Sequence, residues 1–232
     1  MHFRFVLPLA CALACLLAVG AFADDRGKVE KKIASLMEKL RSQEAKLLSV
    51  SDADKATHAS FLSQPDTGIT RLMPREKYDG FLLTRGGGAY FSFVRLVHEY
   101  GFGSDIELQQ ESFSVGFAGA DFGFLTNLGN TPLDGVTLES AGVQFLSSFV
   151  APTKLPDARE QQHRTGAGFE TNGFAYKSNI PAAVNTTYAL RSISYRFSDL
   201  LVAVRPIRKD SDGSMVFLWK ILKRFPNPVL ED

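Results

Sequence analysis

Residues 200–225 read LLVAVRPIRKDSDGSMVFLWKILKRF. Asp212-Gly213 separates two apolar runs, and an Asp-Gly pair so placed favours a tight hairpin because the turn needs backbone at positive φ. Met215, Phe217, Trp219 and Ile221 recur at the strand period and are expected to face the core. Pro206 cannot donate to a ladder, so an edge or a bulge is expected there. Arg191, amid the neutral residues of 186–195, is expected to pair with a buried acid.

Further strands are expected on either side of this hairpin. GFLLT at 80–84, DFGFLTNL at 121–128, VQFLSSFV at 143–150 and GFETNGFAY at 168–176 are short apolar runs between turn residues. AYFSFVRLVHEY at 89–100 is apolar on both faces and reads as a central strand. In IELQQESFSVGF at 106–117 the apolar phase slips: Ile106 and Leu108 are even, whereas Phe113, Val115 and Phe117 are odd. A period of two cannot change phase inside a regular strand, so a bulge or break is expected near 109–112. LPDAREQQHRTGAG at 155–168 reads as a loop with a helical turn. These patterns predict a mainly β fold, an antiparallel sandwich or a closed barrel-like sheet, with an N-terminal amphipathic helical arm.

SVGFAGADFGFLTNLG at 114–129 does not match G-x-G-x-x-G, since its glycines stand at 116, 119 and 123 and strand-like residues follow. It reads as two strands around a tight Gly119-Ala120 turn. A small outer-membrane barrel is the alternative that exported Gly-aromatic strands raise. Such barrels alternate apolar and polar residues over about 9–11 residues in strand after strand, and few runs here do so.

Five segments are expected: a signal peptide at 1–23, a helical arm with coiled-coil spacing at 24–63, a linker at 64–79, a β domain at 80–226 and a tail at 227–232. The leader rests on Arg4, the uncharged run FVLPLACALACLLAVG and the A-x-A site AFA at 21–23. A retained anchor and a lipoprotein are its alternatives. The chain is therefore expected to be exported, periplasmic or secreted, and of bacterial source. Cys11 and Cys15 are the only cysteines and both lie in the leader, so the exported chain has no disulfide and no thiol nucleophile.

In RGKVEKKIASLMEKLRSQEAKLLSV at 26–50, Val29, Ile33, Leu36, Leu40, Leu47 and Val50 follow alternating spacings of three and four, with Gln43 in the gap. This stripe either packs on its own domain or forms a seam for a homodimer or a partner protein. A second helix is expected at 53–63, capped by Ser51 or Asp52.

Arg4 is the only charge before Ala23, so loss of the leader leaves 25 basic against 25 acidic side chains. That balance gives no field to attract nucleic acid. No cofactor fingerprint is present. HEYGF at 98–102 lacks the second histidine of a zinc-protease helix, so no metal is expected. The polar segment HEYGFGSDIELQQES at 98–112 is the candidate ligand surface, through His98, Glu99, Tyr100, Asp105 and Glu107, with Asp121 nearby. Its residue types suit a small carbohydrate or a peptide. Carboxylates among Glu99, Asp105, Glu107 and Asp121 would serve a hydrolase acting on carbohydrate if two of them lie about 5–9 Å apart. The expected function is non-catalytic: an exported binding or structural protein of the cell envelope.

Overall fold

The computed structural model describes residues 7–77, 88–98, 100, 101 and 103–231, and for 7–24 the helical backbone alone. The strand expected at 80–84 lies outside the described residues. The chain forms two units, Met1–Leu47 and Leu48–Asp232.

The first unit is one helix, α1 (Leu7–Leu47), with Lys46 in its last turn, where a cation suits the helix dipole. It ends before Val50, which was expected on its stripe. Ser51 takes extended backbone and its side chain accepts the Asp54 N–H at 3.1 Å, so it caps the next helix. Leu48 and Val50 are buried in the second unit.

The second unit runs α2 (Asp52–Thr57), α3 (Ala59–Leu62), β1 (Thr67–Leu72), β2 (Tyr90–Phe91), β3 (Ile106–Gln109), β4 (Ser112–Ser114), β5 (Phe122–Asn127), α4 (Gln144–Ser148), α5 (Leu155–Ala167), β6 (Phe169–Thr171), β7 (Phe174–Tyr176), β8 (Asn179–Pro181), β9 (Tyr188–Ser194), β10 (Ser198–Lys209) and β11 (Met215–Arg224). Among the described residues the strands form three antiparallel sheets, ordered β1-β11-β10-β9-β5, β2-β3-β4-β8 and β6-β7. Among the described residues the five-stranded sheet does not close, which corrects the closed barrel-like sheet. β1 and β5 are its edges, and the outer side of β5 meets a bridge from Leu125 to Lys177 instead of β1.

The β10–β11 hairpin forms as expected, with Gly213 at φ 86°. Met215, Phe217, Trp219 and Ile221 share one apolar cluster with Phe91, Ile106, Leu108 and Phe113 of the four-stranded sheet and with Phe93 just after β2. Leu201, Ala203 and Leu218 face the other way, into a cluster with Phe61 of α3, Leu146 of α4 and Ala158 of α5. The five-stranded sheet is thus buried on both faces, which is why its strands read as continuous apolar runs. Arg191 is buried on β9 and donates to both carboxylate oxygens of Asp199 at 2.8 Å, and to the Leu146 and Phe149 carbonyls. Its guanidinium carbon lies 3.6 Å from the Phe225 ring centre. Pro206 sits beside a register shift, as expected, and past the last residue of β10 paired to β9, where its missing N–H costs no ladder bond.

Several local expectations are corrected. The 64–79 linker contains β1, because Gly68 leaves room for the Trp219 ring to lie across the strand; a Cβ there would come within 2.2 Å of it. The strand expected at 89–100 is β2 alone. The chain then turns tightly, with Ser92 bridged to Val97 and Leu96 at φ 55°. The break expected at 109–112 is present, as a two-residue turn with Gln110 and Glu111 at φ 44° and 62° joining β3 to β4. The tight Gly119-Ala120 turn expected within 114–129 is present, with the Asp121 N–H donating to the Ala118 carbonyl at 2.8 Å, but the strands on either side, β4 and β5, belong to different sheets. The 143–150 run is the helix α4, burying Val143 and Leu146 three apart; 155–168 is the full helix α5, with Pro at its N-terminal positions. Arg208, Lys209 and Arg224 of the final hairpin pair with Asp54 and Asp210, Glu111, and Asp66.

Candidate functional site

The predicted site residues separate into different surroundings, and Glu99 lies outside the described residues. Asp121 precedes β5 and is held by the end of β9. Its Oδ1 accepts the Tyr195 N–H at 2.9 Å and its Oδ2 the Ser194 hydroxyl at 3.1 Å, while burial raises its carboxyl above the usual range. Asp105 is fully buried. Its Oδ2 accepts the Phe93 N–H at 2.8 Å, and its Oδ1 has no partner in hydrogen-bonding geometry. Burial pushes this carboxyl up to about 6, against the opposing pull of the Ser192 hydroxyl, the Phe93 N–H and the Ser92 hydroxyl.

Glu107 lies opposite Tyr90 in the β2–β3 ladder and accepts Arg75 Nη1 at 3.3 Å. Burial, then the hydrogen bond to Glu107, raises the Tyr90 phenol. Tyr100 packs against this group at a tilt, its ring centre 4.9 Å from that of Tyr90 and the ring planes 59° apart, and its hydroxyl donates to the Phe117 carbonyl at 3.4 Å. Asp105, Glu107 and Asp121 thus sit in three separate surroundings.

His98 stands at a different place. Its Nε2 lies 2.9 Å from the Arg71 carbonyl of β1, and its ring centre 5.0 Å from that of Phe91. A carbonyl only accepts, so Nε2 carries the proton. Burial, partly offset by that carbonyl, lowers the pKa of the ring, so it is neutral at pH 7 with a free lone pair at Nδ1. His98 lines an open cleft of about 400 Å³ that runs along β1, with Leu48, Val50, Phe91, Leu96 and Trp219 among its walls.

The cleft follows a strand edge. Asp66 accepts the Ile221 N–H at 2.8 Å, and in an antiparallel pair such bonds recur at every second residue. Gly68, Thr70 and Leu72 therefore turn their main-chain groups toward β11, whereas Thr67, Ile69 and Arg71 turn theirs outward. The His98 bond to the Arg71 carbonyl lies on that outer side. Trp219 forms the floor: its indole crosses Gly68 and donates to Thr70 Oγ1 at 2.9 Å.

An ion network ties the cleft wall to the hairpin. Arg208 joins Asp54 of α2 to Asp210, and Arg71 joins Asp210 to Asp212. Beside the cleft, Val94, Leu96 and Val97 form an exposed apolar tip, with Leu96 60% exposed at positive φ. A bulky residue held at positive φ is strained, and such strain is concentrated at functional positions.

Sequence reasoning found His98 but not the rest of this cleft. Its walls come from 48–55, 67–71, 91–98 and Trp219, which no spacing connects. The one available signal was TGITRL at 67–72, whose β-branched residues alternate around a glycine. Comparison with protein-family models, with curated proteins and with solved structures gives no match.

Proposed function

We infer that this is an exported, non-catalytic binding protein of the cell envelope, and that its ligand is an extended peptide segment pairing with the outer edge of β1. The observation that carries this reading is the cleft along that edge, into which Ile69 directs its main-chain N–H and C=O. An added strand gains its affinity from such main-chain bonds and its specificity from side-chain pockets beside them. Phe91, Leu96 and Trp219 offer an apolar pocket of that kind. The acids that hydrolysis would need, Asp105, Glu107 and Asp121, are engaged in local hydrogen bonds, which favours binding over turnover. We read the two larger sheets, which share one apolar cluster, as a sandwich carrying this edge. Export rests on the leader at 1–23, and α1 supplies self-association.

The test is selection of displayed heptapeptides on the purified protein, followed by titration against Ile69→Pro. That substitution removes an outward N–H that β11 does not use, and proline is tolerated on such an edge. Peptides that bind the wild type and lose at least tenfold affinity for a folded Ile69→Pro variant support the reading. Equal binding to both proteins, or no recovered peptide, overturns it. Fractionation of cells expressing the full chain, with a wash in salt and urea, tests export: retention until detergent is added refutes a released envelope protein.

A further inference from the structure

We propose that α1 pairs with α1 of a second copy of this chain as a parallel two-stranded coiled coil, in which Lys39 of each helix meets Glu44 of the other. This deepens the self-association reading and rests on it.

The stripe assigns itself to heptad positions. Ile33, Leu40 and Leu47 occupy a, and Val29, Leu36 and Gln43 occupy d. Val29, Ile33 and Leu36 are each 55% exposed, so the helix leaves aliphatic side chains half in water along one line. A helix with such a line is completed by a partner that covers it. Ile33 at a followed by Leu36 at d favours two strands over three or four.

The flanking charges select the partner and its direction. Position e holds Glu30, Met37 and Glu44, and position g holds Asp25, Lys32, Lys39 and Lys46. One flank of the seam is thus acidic or neutral and the other mainly basic. In a parallel pair, g of one helix faces e of the other five residues on, so Lys39 meets Glu44 of the partner on both sides of the seam. Lys32 meets Met37, and the adverse pairs fall at the start, Asp25 with Glu30 and, at the a position before Ile33, Arg26 with Arg26; Asp25 there also lies 3.7 Å from Lys28. In an antiparallel pair of full overlap, g faces g and e faces e. Lys39 would then meet Lys39, Lys32 would meet Lys46, and Glu30 would meet Glu44. Like charges in direct opposition disfavour that arrangement.

Gln43 sets the register. It is the single polar residue of the seam between Val29 and Leu47, and only a parallel, in-register pair places one Gln43 against the other, where the two amides can hydrogen-bond. Any slip by a heptad would put an amide against an aliphatic layer.

The experiment uses the full chain carrying Cys11→Ser and Cys15→Ser, so that an introduced thiol is alone. Gln43→Cys, oxidised with copper phenanthroline in intact cells, is expected to give a disulfide-linked dimer, whereas Ser42→Cys, one residue off the seam, is not. With the purified protein, Lys39→Glu is expected to raise the dimer dissociation constant about tenfold, and Lys39→Glu/Glu44→Lys to restore it. A dimer whose dissociation constant is unchanged by Lys39→Glu and that fails to link through Gln43→Cys would overturn the parallel arrangement alone. A monomer at every concentration would overturn the self-association reading as well. Neither result bears on peptide binding at β1, which the Ile69→Pro titration reads separately.

Discussion

Replacing Asp105 by Asn should stabilise the protein at neutral pH and leave it nearly unchanged in acid. The buried carboxyl titrates at about 6 instead of its ordinary 3.8. A shift of roughly two units, at 1.36 kcal/mol each, corresponds to about 3 kcal/mol of penalty for holding Asp105 ionised in the fold. The sign follows from linkage. Between 3.8 and about 6 the folded state holds a proton that the unfolded state has released, so stability falls as pH rises through this window and the penalty is complete above it. Asparagine keeps an oxygen for the Phe93 N–H and brings an amide that the Ser92 and Ser192 hydroxyls can accept, without a charge. Urea unfolding followed by the fluorescence of the single tryptophan, Trp219, measures both proteins from pH 4 to pH 8. The difference between them should grow from near zero at pH 4 to about 3 kcal/mol in favour of Asp105→Asn at pH 7. Taking this difference removes the opposing contribution of His98, whose lowered pKa makes stability fall as pH drops. A difference that stays within about 0.5 kcal/mol over the whole range would refute the argument from burial.

Gly68→Ala should lower stability by about 2–3 kcal/mol, since its methyl group would lie 2.2 Å from the Trp219 ring; a fall in melting temperature of about 4–12 °C in calorimetry checks this. Arg191→Met should cost about 3–5 kcal/mol because it leaves Asp199 buried without its cation. Adding Asp199→Leu should recover most of that loss in denaturant titrations, and a double variant as unstable as the single one would contradict the pairing. The His98 ring should titrate below about 6.5 in NMR, with the proton on Nε2 at neutral pH.

Local chemistry made part of this fold legible. Asp212-Gly213 marked its hairpin, Pro206 its irregularity, and the parity change between Leu108 and Phe113 its break, because each depends on backbone geometry within a few residues. Arg191 announced a buried partner because a cation amid apolar strand residues must be compensated wherever it lies, although only the fold showed that Asp199 supplies it. The candidate site was legible only in fragments. His98 stood out as a residue type, but its neighbour Arg71 lies in a segment that read as linker, since the surface covering Gly68 belongs to Trp219, far along the chain. The 143–150 run carried apolar residues that suit a strand or a helix equally, and packing on the far face of the sheet decided for a helix.

The sequence by itself determined the antiparallel β character, the stripe on α1 with its segregated charges, and the absence of cysteine beyond residue 15, because these are properties of neighbours and of composition. Only the tertiary structure decided that the main sheet stays open, that β1 is its edge and that a cleft runs along it. Those features depend on which distant segments approach each other, and that is settled by the burial of both faces of the sheet rather than by any local pattern.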